Sequence, residues 1–181
     1  MSGEAATFSF LGNAFLSPDA VRLADPLCES GESEFVAAIT AAPLEPEFYR
    51  LFLNPAGTPC PPWQSAHGPE RHLMGEPHLG ALAWYRRFGV EPVTRNDPAD
   101  HIGLLLMFYA RLLEVDAAEE VRSRFAAEHL AWIPAFCDAI EKETRHPFYR
   151  LLAARTRQLA TGILEHSPGP GGITQEQPAL R

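Results

Sequence analysis

Between Asp97 and Glu114 the chain reads DPADHIGLLLMFYARLLE, and this stretch limits the possible fold more than any other. From Ile102 onward it is apolar nearly all round a helix: Ile102, Leu104, Leu105, Leu106, Met107, Phe108, Tyr109, Leu112 and Leu113. A helix without a wet face has to be enclosed by other elements, because apolar surface left in water forfeits its burial free energy. The stretch is too short for a membrane span and carries Arg111, so it predicts a central helix over about residues 98–114. Its lead-in is polar. Asp97 is placed as the N-cap, Pro98 suits the first helical position, and Asp100 falls at the third, where a carboxylate can reach orphan amides. Gly103 sits in the first turns, where glycine costs about 1 kcal/mol relative to alanine. The expectation is that another helix or a ligand approaches its backbone closely.

The rest of the chain repeats helical spacing and shows no strand alternation. Phe8, Leu11, Phe15 and Leu16 mark a first helix over residues 5–16, and Pro18 or Asp19 starts a second that runs to about Cys28. Further helices are expected over residues 32–42, 45–53, 77–88, 117–133, 134–144 and 147–164. Gly89 serves as a stop, Asp116 as a cap, and Pro134 as a forced break. Residues 54–78 interrupt the pattern with a cluster of prolines and glycines around Trp63 and His67. A long non-helical connection inside a helical domain is a place to look for function. The fold class expected is an all-α, single-domain bundle over residues 1–166. The Pro- and Gly-rich stretch 167–181 reads as a disordered tail.

Charge and cysteine usage narrow the role. A net charge of −8 argues against nucleic acid, since phosphate binding needs a basic surface. The first fifty residues hold eight acidic side chains against Arg22 and Arg50, a field that would attract a basic peptide. Cys28, Cys60 and Cys137 are few, odd in number and unpaired in spacing, which fits a reducing compartment. The first residues lack a secretory signal and no apolar run is long enough for a span, so a cytoplasmic protein is expected. His67, His72, His78, His101, His129, His146 and His166 raise the question of a metal, but they form no HExxH or HxxxH pattern. No metal or cofactor is expected. GxSxG, P-loop and GxGxxG signatures are absent too, so the sequence offers no convincing enzyme.

Four stretches together resemble the TorD/DmsD/NarJ family of molybdoenzyme maturation chaperones. They are Glu47-Phe48-Tyr49-Arg50-Leu51-Phe52 and its turn, the loop Pro61-Pro62-Trp63-Gln64-Ser65-Ala66-His67, the run Asp97-Pro98-Ala99-Asp100-His101-Ile102-Gly103-Leu104, and the segment from Phe125 through His129-Leu130, Trp132, Pro134 and Phe136 to Pro147-Phe148-Tyr149. The resemblance implies a TorD-like helical fold and a cytoplasmic chaperone, not an enzyme. Its partners would be the twin-arginine signal peptide and the catalytic subunit of a molybdenum-cofactor oxidoreductase, held from export while the cofactor is inserted. Carried over by position, the peptide-binding residues would be Trp63, Ser65, His67, Pro98, Asp100 and His101, with Gly103 as the close-approach residue. His67 stands where the family usually has Trp or Tyr. A homodimer built by swapped helices is compatible with the family. The competing readings are a metal-dependent enzyme with a His/Asp site and a helical assembly protein without signal-peptide binding.

Overall fold

The computed structural model describes residues 3–20, 22–23, 33–68, 73–91 and 98–166. Along the chain come α1 (Gly3–Leu16), α2 (Ser33–Ala41), α3 (Glu45–Phe48), α4 (Glu76–Arg87), α5 (Ile102–Glu114), α6 (Glu119–His129), α7 (Ile133–Glu143) and α8 (Pro147–His166). Helix α3 passes directly into a π-helical turn, Tyr49–Leu53, and the following loop contains a 3₁₀ turn, Gln64–Ala66. Among the described residues there is no strand, so the all-helical expectation holds. Ala20, Arg22 and Leu23 are helical and Asp19 Oδ1 accepts the Arg22 amide at 3.2 Å, as a helix start there requires. The remainder of that expected helix lies outside the described residues, as do Cys28, Asp97, His72 and the stretch 167–181.

Helix α5 is the enclosed centre that its composition demands. Ile102 to Leu106, Phe108, Tyr109, Ala110 and Leu112 are buried, and water reaches mainly Arg111 and Glu114. Its most extensive partner is α1. The two helices cross at glycines: a Cβ on Gly12 would lie 2.7 Å from the Gly103 carbonyl oxygen, and one on Gly103 would lie 2.6 Å from the Gly12 carbonyl oxygen. Any side chain at either position would push the backbones apart. The body that approaches Gly103 is therefore a helix. Beside the crossing, Phe8 meets Tyr109 edge-on with ring centres 4.9 Å apart, and Phe108 packs between Tyr85 and Phe125. On the other flank α7 pairs with α8, and Phe15, Phe52 and Phe136 join α1, the π-turn and α7.

Helix ends refine three expectations. Helix α5 begins at Ile102 rather than near Pro98, and its N-cap is His101, whose Nδ1 accepts the Gly103 amide at 3.1 Å. Residues 98–101 are drawn off the helix axis because they pair with the proline-rich loop. Asp116 does not cap α6; the N-cap is Ala118. Instead Asp116 closes α5 in a left-handed conformation (φ 50°), with its amide on the Leu113 carbonyl and that of Ala117 on Leu112. That is the hydrogen-bond pattern a glycine commonly supplies, and a short Asp side chain tolerates it. Gly89 (φ 64°) does the same for α4, as its position predicts. The helix expected over residues 117–133 ends at His129, and Pro134 lies within the first turn of α7.

A polar knot ties α3 to the α7–α8 connection. The Glu47 carboxylate receives Arg50 through Nε at 2.8 Å and Nη2 at 2.9 Å, the Arg145 amide at 2.6 Å and the Thr144 hydroxyl at 3.1 Å. Arg50 continues to the Glu143 carbonyl at 2.6 Å. The Arg50 hydrogen bond, with the Arg145 amide and Thr144 hydroxyl, outweighs burial and holds the Glu47 carboxyl at about 2.

Candidate functional site

The proline-rich loop is stitched to the lead-in of α5. Trp63 and His101 form an isolated antiparallel bridge. The Ile102 amide donates to the Pro62 carbonyl at 2.9 Å, and the Gln64 amide donates to the Asp100 carbonyl at 3.1 Å. Side chains add to the seam. Asp100 Oδ2 accepts the Ser65 amide at 2.7 Å, so its carboxylate serves the loop and not the helix amides that its position first implied. On the far side Ala99 is clamped by α4: its amide donates to His78 Nδ1 at 2.9 Å, and its carbonyl accepts the Tyr85 hydroxyl at 2.7 Å.

The end of α6 closes the arrangement. Gln64 places Oε1 at 2.9 Å from His129 Nδ1 and donates through Nε2 to the Glu128 carbonyl at 2.8 Å. An amide so oriented calls for the imidazole proton on Nδ1, which leaves Nε2 as an acceptor. Burial pulls the His129 pKa below its ordinary value, against the opposing charges of Glu128 and Asp100. Gly80 of α4 leaves room for this ring, since a Cβ there would sit 3.2 Å from His129 Cε1.

Sequence reasoning gathered Trp63, Ser65, Asp100 and His101, and the fold brings these four together. Asp100 is wholly buried and Ser65 and His101 nearly so, whereas Trp63 is half-buried. His67 stands to one side, exposed. Its ring stacks on Trp132 (centres 4.7 Å apart, planes 28° apart), meets Phe136 edge-on, and lies with Nε2 at 2.8 Å from the Pro61 carbonyl. The histidine thus takes a flat-ring packing role. Pro98 is buried, with its carbonyl accepting the His101 amide at 3.0 Å, and Gly103 faces α1. Gln64, Glu128 and Trp132 were not singled out as site residues from sequence, nor was His129. The only signal was their place in the two quoted stretches.

Several polar atoms at this seam are unsatisfied. Trp63 Nε1, Ser65 Oγ, Asp100 Oδ1 and His129 Nε2 are all buried without a hydrogen-bond partner. Buried polar groups are ordinarily paired, so this grouping marks the site chemically. Two donors or donor–acceptors and two acceptors suit a polar or cationic group. The buried thiols offer no comparable chemistry: burial pushes Cys60 up to about 11 and raises Cys137 as well, which keeps both protonated. Among the described residues no three His, Cys, Asp or Glu are grouped to hold a metal ion.

Residues 22–138 match the nitrate reductase delta subunit family. The chain belongs to that family. Among curated relatives, the Tat proofreading chaperone DmsD of Salmonella typhi is 34% identical over 110 residues, 60% of this chain and 54% of that protein. The chaperone protein TorD of Vibrio vulnificus strain YJ016 is 27% identical over 119 residues, covering 59% and 55%. The chain spans about half the length of these relatives. A crystal structure of a candidate redox enzyme maturation protein from Archaeoglobus fulgidus shares the fold at 21% identity, with a TM-score of 0.71 over 89% of this chain and 96% of that one. The TorD-like fold expected of this family member is therefore the one observed. Among its described residues no helix is long and apolar enough to cross a membrane.

Proposed function

We propose that this family member is a redox-enzyme maturation chaperone that binds the twin-arginine signal peptide of a molybdenum-cofactor oxidoreductase. It holds the peptide back from export and assists cofactor insertion, and it catalyses no reaction itself. The observation that carries the reading is the Asp100 carboxylate, buried with one amide on Oδ2 and nothing on Oδ1. A guanidinium presents the planar pair of donors that a carboxylate accepts bidentately. Half-buried Trp63 offers an aromatic face for the second guanidinium. Ser65, His67, Pro98, His101 and Gly103 shape and support that surround. The acidic first fifty residues favour encounter with a basic segment. Relatives named as Tat proofreading and TorD chaperones agree with this role.

Calorimetric titration with a synthetic twin-arginine signal peptide tests the reading. Binding at micromolar affinity or better, about −8 kcal/mol, is expected, with marked weakening when both arginines become glutamine. Absence of binding to signal peptides from several molybdoenzymes would refute it.

A further inference from the structure

We infer that residues 61–67 form a latch over Asp100 that lifts before a cationic segment can reach the carboxylate, with Gln64 as its catch. The inference rests on the reading of Asp100 as a guanidinium acceptor. As the molecule stands, that carboxylate has no exposed surface, and the donor on Oδ2 is the loop's own Ser65 amide. Ser65 N–H occupies one of the positions that a guanidinium N–H would take. Binding and the observed closure therefore compete for the same oxygen.

The attachments of the loop are of a kind that can be exchanged. Two backbone hydrogen bonds, which together make the Trp63–His101 bridge, tie it to residues 100–102, and the Gln64 side-chain amide ties it to His129 and Glu128 at the end of α6. Each such hydrogen bond contributes little net stability because water replaces it when it opens, and seams of this sort open locally without global unfolding. Closure also leaves Trp63 Nε1, Ser65 Oγ and His129 Nε2 unpaired, which weakens the closed state relative to a hydrated or peptide-filled one. Among the described residues Gln64 makes the loop's hydrogen bonds to the end of α6, through both ends of its amide, beside the stack of His67 on Trp132, so it is the polar catch that a single substitution releases.

Latching lowers apparent affinity by the fraction of time the site is open. Two measurements test it. Hydrogen exchange on the full chain, with and without the twin-arginine peptide, should show the Ser65 and Gln64 amides exchanging faster when peptide is bound, the reverse of ordinary ligand protection. The peptide with glutamines in place of both arginines should not produce the acceleration. In calorimetry, Gln64→Ala should bind the peptide more tightly, by about tenfold if the latch is mostly closed. Peptide binding with the Ser65 amide slowed or unchanged removes the latch and leaves the chaperone reading intact. Weaker or unchanged binding by folded Gln64→Ala does the same. No binding by the wild-type chain overturns both. The exchange measurement needs no substitution, so it decides the matter even if Gln64→Ala fails to fold.

Discussion

Two carboxylates of this bundle, Glu47 and Asp100, have opposite surroundings. Glu47 is saturated: a bidentate guanidinium, a backbone amide and a hydroxyl meet its two oxygens, and it binds α3 to the turn between α7 and α8. Asp100 is more deeply buried yet holds one amide and leaves one oxygen unmatched. A side chain selected for stability alone would not be left so, because a buried carboxylate without a full set of donors destabilises the fold. The contrast separates scaffold from site. Glu47 has its arginine within the chain, whereas Asp100 is proposed to receive one from a partner.

That contrast can be broken experimentally. The largest effect is expected for Asp100→Asn, which should weaken twin-arginine peptide binding by about 2–3 kcal/mol, the range for a charged hydrogen-bonded pair. Its unfolding free energy should stay within about 1 kcal/mol of wild type, since the amide oxygen can still accept the Ser65 amide. Glu47→Gln should do the converse. It should destabilise the fold by about 2 kcal/mol in urea denaturation, less than the full pKa shift implies because Arg50 is partly exposed and screened. Peptide affinity of the folded variant should not change. The same carboxylate sets an acid limit: its folded pKa of about 2 lies below the ordinary 4.5, so its contribution is complete above 4.5 and fades as pH falls from there towards 2. Glu47→Gln should lack that component of acid unfolding. Trp63→Ala should reduce peptide affinity by about 1 kcal/mol through loss of stacking on a guanidinium. The smallest effect concerns His129, whose pKa is depressed in the fold. Its neutral form favours folding, so stability is complete above the ordinary value of 6.5 and declines as pH falls below it. Denaturation curves for His129→Gln should show a shallower decline between pH 7 and 5.

Much of the architecture was legible because apolar periodicity reports directly on which helix is enclosed. The run from Ile102 to Leu113 has no polar face, and α5 has almost no wet one. Gly89 and Pro134 also fell where they were expected, since a left-handed residue and a missing amide act locally. What could not be read was the start of α5. Capping rules placed Asp97 and Asp100 inside a helix signal, but a strand-like pairing with residues 62–65, far away in sequence, redirected residues 98–101. Long-range pairing overrides local propensity, and nothing near Asp100 announces Ser65. The partnership of Gln64 with His129 was hidden for the same reason: both residues lie in stretches that drew attention, yet their contact exists only in the folded chain.

The crossing of α1 with α5 at Gly12 and Gly103 also bears on how the molecule is made. During synthesis α1 emerges before α5, and Gly103 follows Gly12 by about 90 residues, so the central pair is a contact of high sequence separation that slows folding. The apolar face of α1, with Phe8, Leu11 and Phe15, stays without its final cover until α5 has been made. The first turn of α5 carries both the glycine crossing with α1 and the pairing with residues 62–64, and the end of α6 then closes the seam around Asp100. The site therefore forms only after the residues that bury α1 have been made, and a ribosome-bound fragment ending before residue 103 should fail to bind the twin-arginine peptide.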